Sequence, residues 1–253
     1  MFDAAGQRYN RPLVSLSVVI PAYNEEKRLP ATLDIVDQYL RARQFAFAEV
    51  IVVDDGSADS TAMLVERFAR NNPAVRLVKN PGNRGKGYAV KNGMLSARGE
   101  WCLFSDADLS SPIQEFERLH KAALAGSAAV AIGSRAVQGA EVTVHQSSFR
   151  EWSGRLFNLV MRTVTGLPFH DTQCGFKLFR GDAAKEIFQR QLLDGFSFDV
   201  EDLVIAQGLG LKAIEVPVQW ANVEGTKVSM GHGLKSFADL LEIRRNRAEG
   251  KYR

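Results

Sequence analysis

Two aspartates separated by one small residue, Asp106 and Asp108, stand in the stretch EWCLFSDADLSSP at residues 100–112. Residues 101–104 form a short apolar run suited to a buried strand. On extended backbone, residues two apart point the same way, so two carboxylates project side by side from a strand end. Such oxygen donors suit a hard divalent cation, Mg²⁺ or Mn²⁺. Without a cation, two close carboxylates repel and one of them takes up a proton. Pro112 offers a start for the next helix, with Asp and Ser before it for capping. A polar turn that merely caps this helix is the plain alternative, and Asp-x-Asp alone does not decide between the two.

The elements around the pair decide it. LSVVI at 16–20 is a β-branched run that reads as a buried strand and ends in PAYNEE. Asn24 is placed to cap a following helix, with Glu25 and Glu26 in its first turn and Leu29, Leu33, Val36 and Leu40 on one face. VIVV at 50–53 is a second strand, ending in Asp54-Asp55-Gly56-Ser57, and a helix through Leu64, Val65 and Phe68 follows. A third strand spans 75–78. It leads to a glycine-rich loop at 80–87, NPGNRGKG, with Arg84 and Lys86 in it and a helix behind it. After the Asp106–Asp108 strand come a helix with Phe116, Leu119 and Leu124, and a strand at 128–132 ending in Gly133-Ser134-Arg135. Strands alternating with helices predict an α/β fold with a mostly parallel central sheet flanked by helices. In such sheets ligands bind beyond the carboxyl ends of the strands. Every polar cluster falls at such an end, and capping turns do not require carboxylates at strand after strand.

Two nucleotide motifs are excluded. No Gly-x-Gly-x-x-Gly follows the first strand, and the 82–87 loop lacks the spacing and the Ser/Thr of a Walker A loop. The loop can still present Arg84 or Lys86 to an anion. The chain has 253 residues, 45% of them hydrophobic, which is ample for a core, and a formal net charge of +3, too mild to indicate a nucleic-acid partner. Cys102 and Cys174 give neither a disulfide framework nor zinc-site spacing and read as core residues of a reduced compartment. No apolar run is long enough to span a bilayer, which predicts a soluble or peripheral, cytoplasmic protein. Residues 1–12 read as a leader, 13–225 as one catalytic domain and 226–253 as a basic amphipathic segment.

PAYNEE, VVDDGS, GNRGKGYAVKNG and DADLSSP, in this order, resemble family 2 glycosyltransferases of the GT-A fold, the nucleotide-diphospho-sugar transferase type. The likeness continues through GSR at 133–135, DTQCGFKLFR at 171–180, FDVEDL at 198–203 and IEVPVQW at 214–220, and within the family it is greatest to the group that makes polyprenyl-phosphate sugars, the dolichyl-phosphate β-glucosyltransferases among them. The resemblance implies an inverting, metal-dependent hexosyl transfer from a nucleotide sugar, UDP-glucose, to a polyprenyl or dolichyl phosphate at the cytoplasmic membrane face. The alternatives are a soluble saccharide acceptor on the same fold, and a catalytically silent nucleotide-sugar-binding module. It assigns Pro21, Tyr23, Glu25, Asp54, Asp55, Lys86 and Asp106 to the nucleotide, and Asp106 with Asp108 to Mg²⁺ or Mn²⁺. Some related synthases supply a further metal ligand, often Gln, two residues after the second Asp; here Ser110 occupies that position.

The second half is expected to form the acceptor side. Arg135, Lys177 and Arg180 are candidates to hold an acceptor phosphate. Glu201 and Asp202 are the expected catalytic acids, with Asp171 as a further candidate base. A lipid phosphate has a second pKa of about 6, so it arrives largely ionised and needs a base less than an alcohol does. Residues 149–164 place Phe149, Trp152, Leu156, Leu159, Val160 and Val164 at helical spacing among Arg150, Arg155 and Arg162. They read either as a core-packed helix or as an interfacial one. His145, His170 and His232 have no metal-ligand spacing and are expected to be non-catalytic. Residues 234–253 combine Leu234, Phe237, Leu240 and Leu241 with Arg244, Arg245, Arg247, Lys251 and Arg253, a pattern that fits either a docked helix or a peripheral membrane anchor.

Overall fold

The strands are β1 (Ser15–Ala22), β2 (Phe47–Asp54), β3 (Val75–Lys79), β4 (Trp101–Ser105), β5 (Val130–Ser134), β6 (Glu141–Val144), β7 (Phe176–Arg180), β8 (Ala213–Pro217) and β9 (Gln219–Ala221). The helices are α1 (Leu29–Ala42), α2 (Thr61–Asn71), α3 (Lys86–Ser96), α4 (Glu115–Gly126), α5 (Gly181–Arg190), α6 (Phe198–Gly208) and α7 (Met230–Ala248). Residues 158–165 are also helical. The structure, a computed structural model, describes residues 13–144, 158–223 and 230–253. The leader and most of the 149–164 segment, including Phe149, Trp152, Arg155 and Leu156, lie outside the described residues, as does His145.

Seven strands form one sheet in the order β3-β2-β1-β4-β7-β5-β8, with β6 and β9 as a separate two-stranded ribbon. All neighbours in the large sheet are parallel except β7, which runs antiparallel to both β4 and β5. The mostly parallel sheet is therefore as expected. The chain leaves β1 toward β2 on one side and later returns to lay β4 on its other side. That reversal opens a crevice at the carboxyl ends of β1 and β4, the usual ligand position in such a sheet.

The strand sequences read as unbroken apolar runs because both faces are covered. Val18, Ile20, Val50 and Val52 face one layer, with Leu33, Val36, Phe116 and Leu119 of α1 and α4. Val19, Ile51 and Val53 face the other, with Val90 and Met94 of α3, Ile187 and Phe188 of α5, and Val204 of α6. Each such fully buried side chain contributes about 1.5–3 kcal/mol. A β-carbon at Gly93 would lie 2.4 Å from Val19 Cγ1, so this glycine lets α3 settle against β1. The N-terminus of α3, which carries Lys86, is thereby brought to the crevice.

Two expected boundaries move. The first helix starts at Leu29, not at Asn24: Asn24 has φ 53° and Glu25 O accepts from Arg28 N and Leu29 N in a preceding turn. The helix after the Asp pair starts at Glu115, three residues beyond Pro112. Over its described side chains the 226–253 segment packs on the domain, in line with the docked-helix alternative. Leu240, Ile243 and Tyr252 are buried in the same core layer as α6, while Leu241 is left exposed.

Candidate active site

Asp106 follows the last residue of β4, and its backbone N–H donates to Gly175 O (3.0 Å). Its Oδ1 pairs with Lys86 Nζ at 2.8 Å. Asp108 Oδ1 accepts from Ser110 N (3.0 Å), closing a tight turn in which Leu109 has φ 48°. Thr32 Oγ1 of α1 donates to Ala107 O (2.6 Å), tying that helix to the Asp-Ala-Asp turn. The two carboxylates are partly exposed, whereas Ala107 between them is buried. β4 ends at Ser105, so both acids stand on the turn beyond the strand and not on the extended backbone the spacing predicted.

Gly175 is essential to this arrangement. A β-carbon there would lie 1.9 Å from Asp106 Oδ2 and 2.4 Å from its Cγ. Among the described residues no group of three or more His, Cys, Asp or Glu converges as a self-sufficient metal cage. Two carboxylates on one turn fit a cation whose remaining ligands are substrate phosphates and water, the usual manner of Mg²⁺.

Arg28 belongs to this cluster although its spacing did not announce it. It forks Glu25, with Nε to Oε2 at 2.8 Å and Nη2 to Oε1 at 2.7 Å, and its Nη1 is buried without a hydrogen-bond partner among the described residues. The hydrogen bond to Glu25 raises its basicity against desolvation, and the charges of Asp108 and Asp106 add to that. The only sequence signal was the i, i+3 relation to Glu25; Asp106 and Asp108 come near through folding.

Pro21 sits inside the end of β1, and Tyr23 just beyond it is 39% exposed at the rim. Asp54 ends β2, is buried, and accepts from Ser57 N (3.3 Å). Asp55 braces the neighbouring loop. Its Oδ1 accepts from Asn80 Nδ2 (2.8 Å) and Arg84 N (3.1 Å), and its Oδ2 from Gly85 N (2.8 Å). This buried carboxylate shapes the glycine-rich loop through three hydrogen bonds. The turn after β1 is cross-linked to the turn after β2 in the same way, through Asn24 N to Ser57 Oγ and Ser60 N to Glu26 Oε2.

In the second half, half-buried Arg135 forks the buried Asp171. Arg135 Nε and Nη2 each lie 2.7 Å from an oxygen of Asp171, and Arg135 N also donates to Asp171 Oδ2. Burial disfavours the Arg135 charge, but the Asp171 carboxylate overrides it and raises the pKa. The guanidinium stands 5.2 Å from the Trp220 ring centre, and Glu215 holds the backbone N–H groups of His170 and Asp171. Lys177 is fully buried and pairs with Asp199. Burial pushes Lys177 down to about 8, against the pull of Asp202. Lys177 and Lys86 both approach the Phe104 ring, at 5.7 and 5.3 Å, so Lys177 lies one layer beneath the Lys86–Asp106 pair.

The expected catalytic acids separate. Glu201 is fully buried and accepts from Leu192 N (3.1 Å), Leu193 N (2.8 Å) and the Tyr252 hydroxyl (2.7 Å). It is a latch between the 191–195 turn and the C-terminal segment, not a base open to the crevice. Asp202 is 1% exposed, and neither of its oxygens has a hydrogen-bond partner among the described residues. Burial, then the neighbouring Glu201 charge, raises its pKa well above the ordinary carboxylate range, against Lys177 and Lys91. Asp199, which sequence reasoning passed over, is the acid that meets Lys177. Its signal was available in the first turn of α6, but three acids within four residues cannot be ranked without the helix's rotation on the sheet.

Arg180 does not join the site. It pairs in register with Trp101, at the opposite end of β4 from Ser105, because β7 runs antiparallel. Four residues of strand separate the two levels by roughly 13 Å, and Arg180 is occupied with Asp182. His170 is exposed against Glu215.

The model of the family described as "Glycosyl transferase family 2" matches residues 17–188. A dolichyl-phosphate beta-glucosyltransferase of Trichomonas vaginalis is 40% identical over 241 residues, covering 91% of this chain and 71% of that one. The dolichyl-phosphate beta-glucosyltransferase of Homo sapiens is 38% identical over 270 residues, covering 99% and 83%. Among solved structures, mannosyl-3-phosphoglycerate synthase from Rubrobacter xylanophilus superposes with a TM-score of 0.66 at 18% identity, covering 94% and 75%. Glucosyl-3-phosphoglycerate synthase from Mycobacterium tuberculosis, in complex with Mn²⁺, UDP-glucose and phosphoglyceric acid, gives 0.62 at 18% identity, covering 91% and 80%. The structural likenesses carry the fold, and the sequence matches carry the family. This chain belongs to glycosyl transferase family 2 and is a glycosyltransferase of the GT-A fold.

Proposed function

We propose that the enzyme transfers glucose from UDP-glucose to a polyprenyl or dolichyl phosphate, with inversion. The observation that carries the acceptor class is the state of the three candidate bases. Glu201 is latched, Asp171 is held in the Arg135 fork, and Asp202 is buried. An alcohol acceptor needs a carboxylate free to take its proton. A phosphate monoester is already largely ionised near neutral pH. Its oxygen attacks the anomeric carbon as the bond from that carbon to the nucleotide diphosphate breaks, and no proton has to be removed. The names of the relatives agree with such an acceptor.

Pro21, Tyr23 and Asp54 frame the nucleoside, with Glu25 oriented by Arg28 toward the ribose. Lys86 and Arg28 meet the diphosphate. Mg²⁺ or Mn²⁺ bound by Asp106 and Asp108 supplies charge compensation for the leaving diphosphate. Arg135 uses Nε and Nη2 on Asp171, which leaves Nη1 to meet the acceptor phosphate. The lipid acceptor places the enzyme at a membrane surface, on the cytoplasmic face. The attachment is peripheral in this reading; no helix among the described residues is long and apolar enough to cross a membrane.

The test is transfer of labelled glucose to polyprenyl phosphate in detergent. Asp108→Asn is expected to lose nearly all transfer and the metal-dependent part of donor binding while keeping its fold, since a neutral amide cannot balance a cation's charge. Undiminished wild-type turnover in excess EDTA would overturn the metal assignment. A preference for GDP-mannose would overturn the donor assignment, and transfer to a soluble saccharide but not to the lipid would overturn the acceptor.

A further inference from the structure

Away from the β1–β4 crevice, a second cleft of about 550 Å³ opens between the end of the 158–165 helix and α7. Arg244, Arg247 and Arg253 line it, together with Thr163, Thr165 and Ile243, and no lining side chain is acidic. Arg247 Nη1 donates to Thr165 O (3.1 Å), which fixes one guanidinium across the cleft at the negative end of the 158–165 helix. Arg244 and Arg253 are exposed and make no ion pair among the described residues. Their basic neighbours differ: Arg245 and Lys251 both face Glu249. The threonine hydroxyls donate to Leu159 O and Met161 O, so an occupant has to be held by the guanidinium groups.

Three like charges around one cavity repel each other, and an anion relieves that. A phosphate group carries about −1 to −2 and several acceptor oxygens in the geometry a guanidinium fork matches. We propose that this cleft is a phosphate-anion site distinct from the transfer site. Two sources share that chemistry, an anionic phospholipid headgroup and free phosphate. The surroundings favour the headgroup. Leu241 lies one turn before Arg244 and Arg245 on α7, Leu159 lies one turn before Thr163, and both leucines are 63% exposed. Apolar side chains beside a cluster of arginines suit the boundary between headgroups and acyl chains. The lipid source rests on the membrane reading above; the anion site does not.

The experiment uses the full chain, with Arg244→Gln/Arg253→Gln as the variant. Arg67→Gln/Arg70→Gln on α2 serves as the control, since it removes the same charge from another surface. Binding to phosphatidylcholine vesicles with and without phosphatidylserine is measured by flotation, and the effect of inorganic phosphate by thermal melting. The variant is expected to bind phosphatidylserine vesicles about 25-fold more weakly, about fivefold per arginine, while the control loses much less. Stabilisation by UDP with Mn²⁺ should be the same in all three proteins. If inorganic phosphate stabilises wild type and control but not the variant, and vesicles do not bind any of them, the site stands with free phosphate as its ligand and the membrane reading fails. Equal behaviour of variant and control in both assays overturns the proposal. Should the double variant not fold, Arg244→Gln alone is expected to show about a fivefold loss on vesicles, and its absence overturns the proposal equally.

Discussion

Gly175→Ala is a one-methyl substitution outside the Asp-x-Asp motif, and it should disable the enzyme. The new β-carbon would stand 1.9 Å from Asp106 Oδ2 and 2.4 Å from Asp106 Cγ. Restoring an ordinary contact of 3.4 Å requires a shift of about 1.5 Å, the difference between that contact and the 1.9 Å approach. Because Cγ also clashes, turning the carboxylate plane is insufficient and the whole side chain must swing. The backbone cannot retreat freely, since Gly175 O accepts from Asp106 N. The swing breaks the 2.8 Å pair with Lys86 and separates the two acids. Misplacing reacting groups by about 1 Å costs on the order of 100-fold in rate. Overpacking of this kind costs about 1–3 kcal/mol of stability, a Tm loss of roughly 2–12 °C for a chain of this size. The expected result is a folded protein with transfer to polyprenyl phosphate down about 100-fold and a weakened response to Mn²⁺ titration. A variant with wild-type turnover and unchanged Mn²⁺ dependence would refute the packing logic and with it the placement of Asp106.

Asp202→Asn should raise stability more at pH 8 than at pH 4. The Asp202 pKa is raised in the fold, so the favourable contribution of its carboxyl is complete below the unfolded value of about 3.9 and is lost as pH climbs through the folded value. Asn escapes that loss, and a melting difference flat in pH would exclude the idea. With a lipid phosphate acceptor the same variant should slow transfer by less than the ~10²–10⁴-fold typical of losing a general base. Tyr252→Phe removes a 2.7 Å hydrogen bond to buried Glu201 and should cost about 1–3 kcal/mol in denaturant unfolding while saturated turnover stays near wild type; a folded but inactive variant would return Glu201 to the list of catalytic acids. Arg135→Lys keeps the charge but loses the fork on Asp171, and should raise the KM for acceptor about tenfold while leaving donor binding intact. Equal effects on both substrates would argue against an acceptor role.

Much of the fold was legible along the chain. Runs such as LSVVI and VIVV, each followed by a helical stripe, dictate a sheet covered on both faces, and strand ends carrying Asp54 and Asp106 dictate where ligands gather. These are local facts: period-2 and period-3.6 patterning acts within one element, and consecutive βα units leave little choice of hand or order. What only the tertiary structure decided involves partners far apart in sequence. The antiparallel course of β7 turned Arg180 to the wrong end of the sheet and brought Gly175 against Asp106. Nothing along the chain announces that Arg84 N and Gly85 N fold onto Asp55, or that Tyr252 and the 192–193 amides reach Glu201. A carboxylate has the same identity whether it binds a substrate or its own backbone. Its role depends on which donors arrive within 3 Å, and the packing of distant segments determines that.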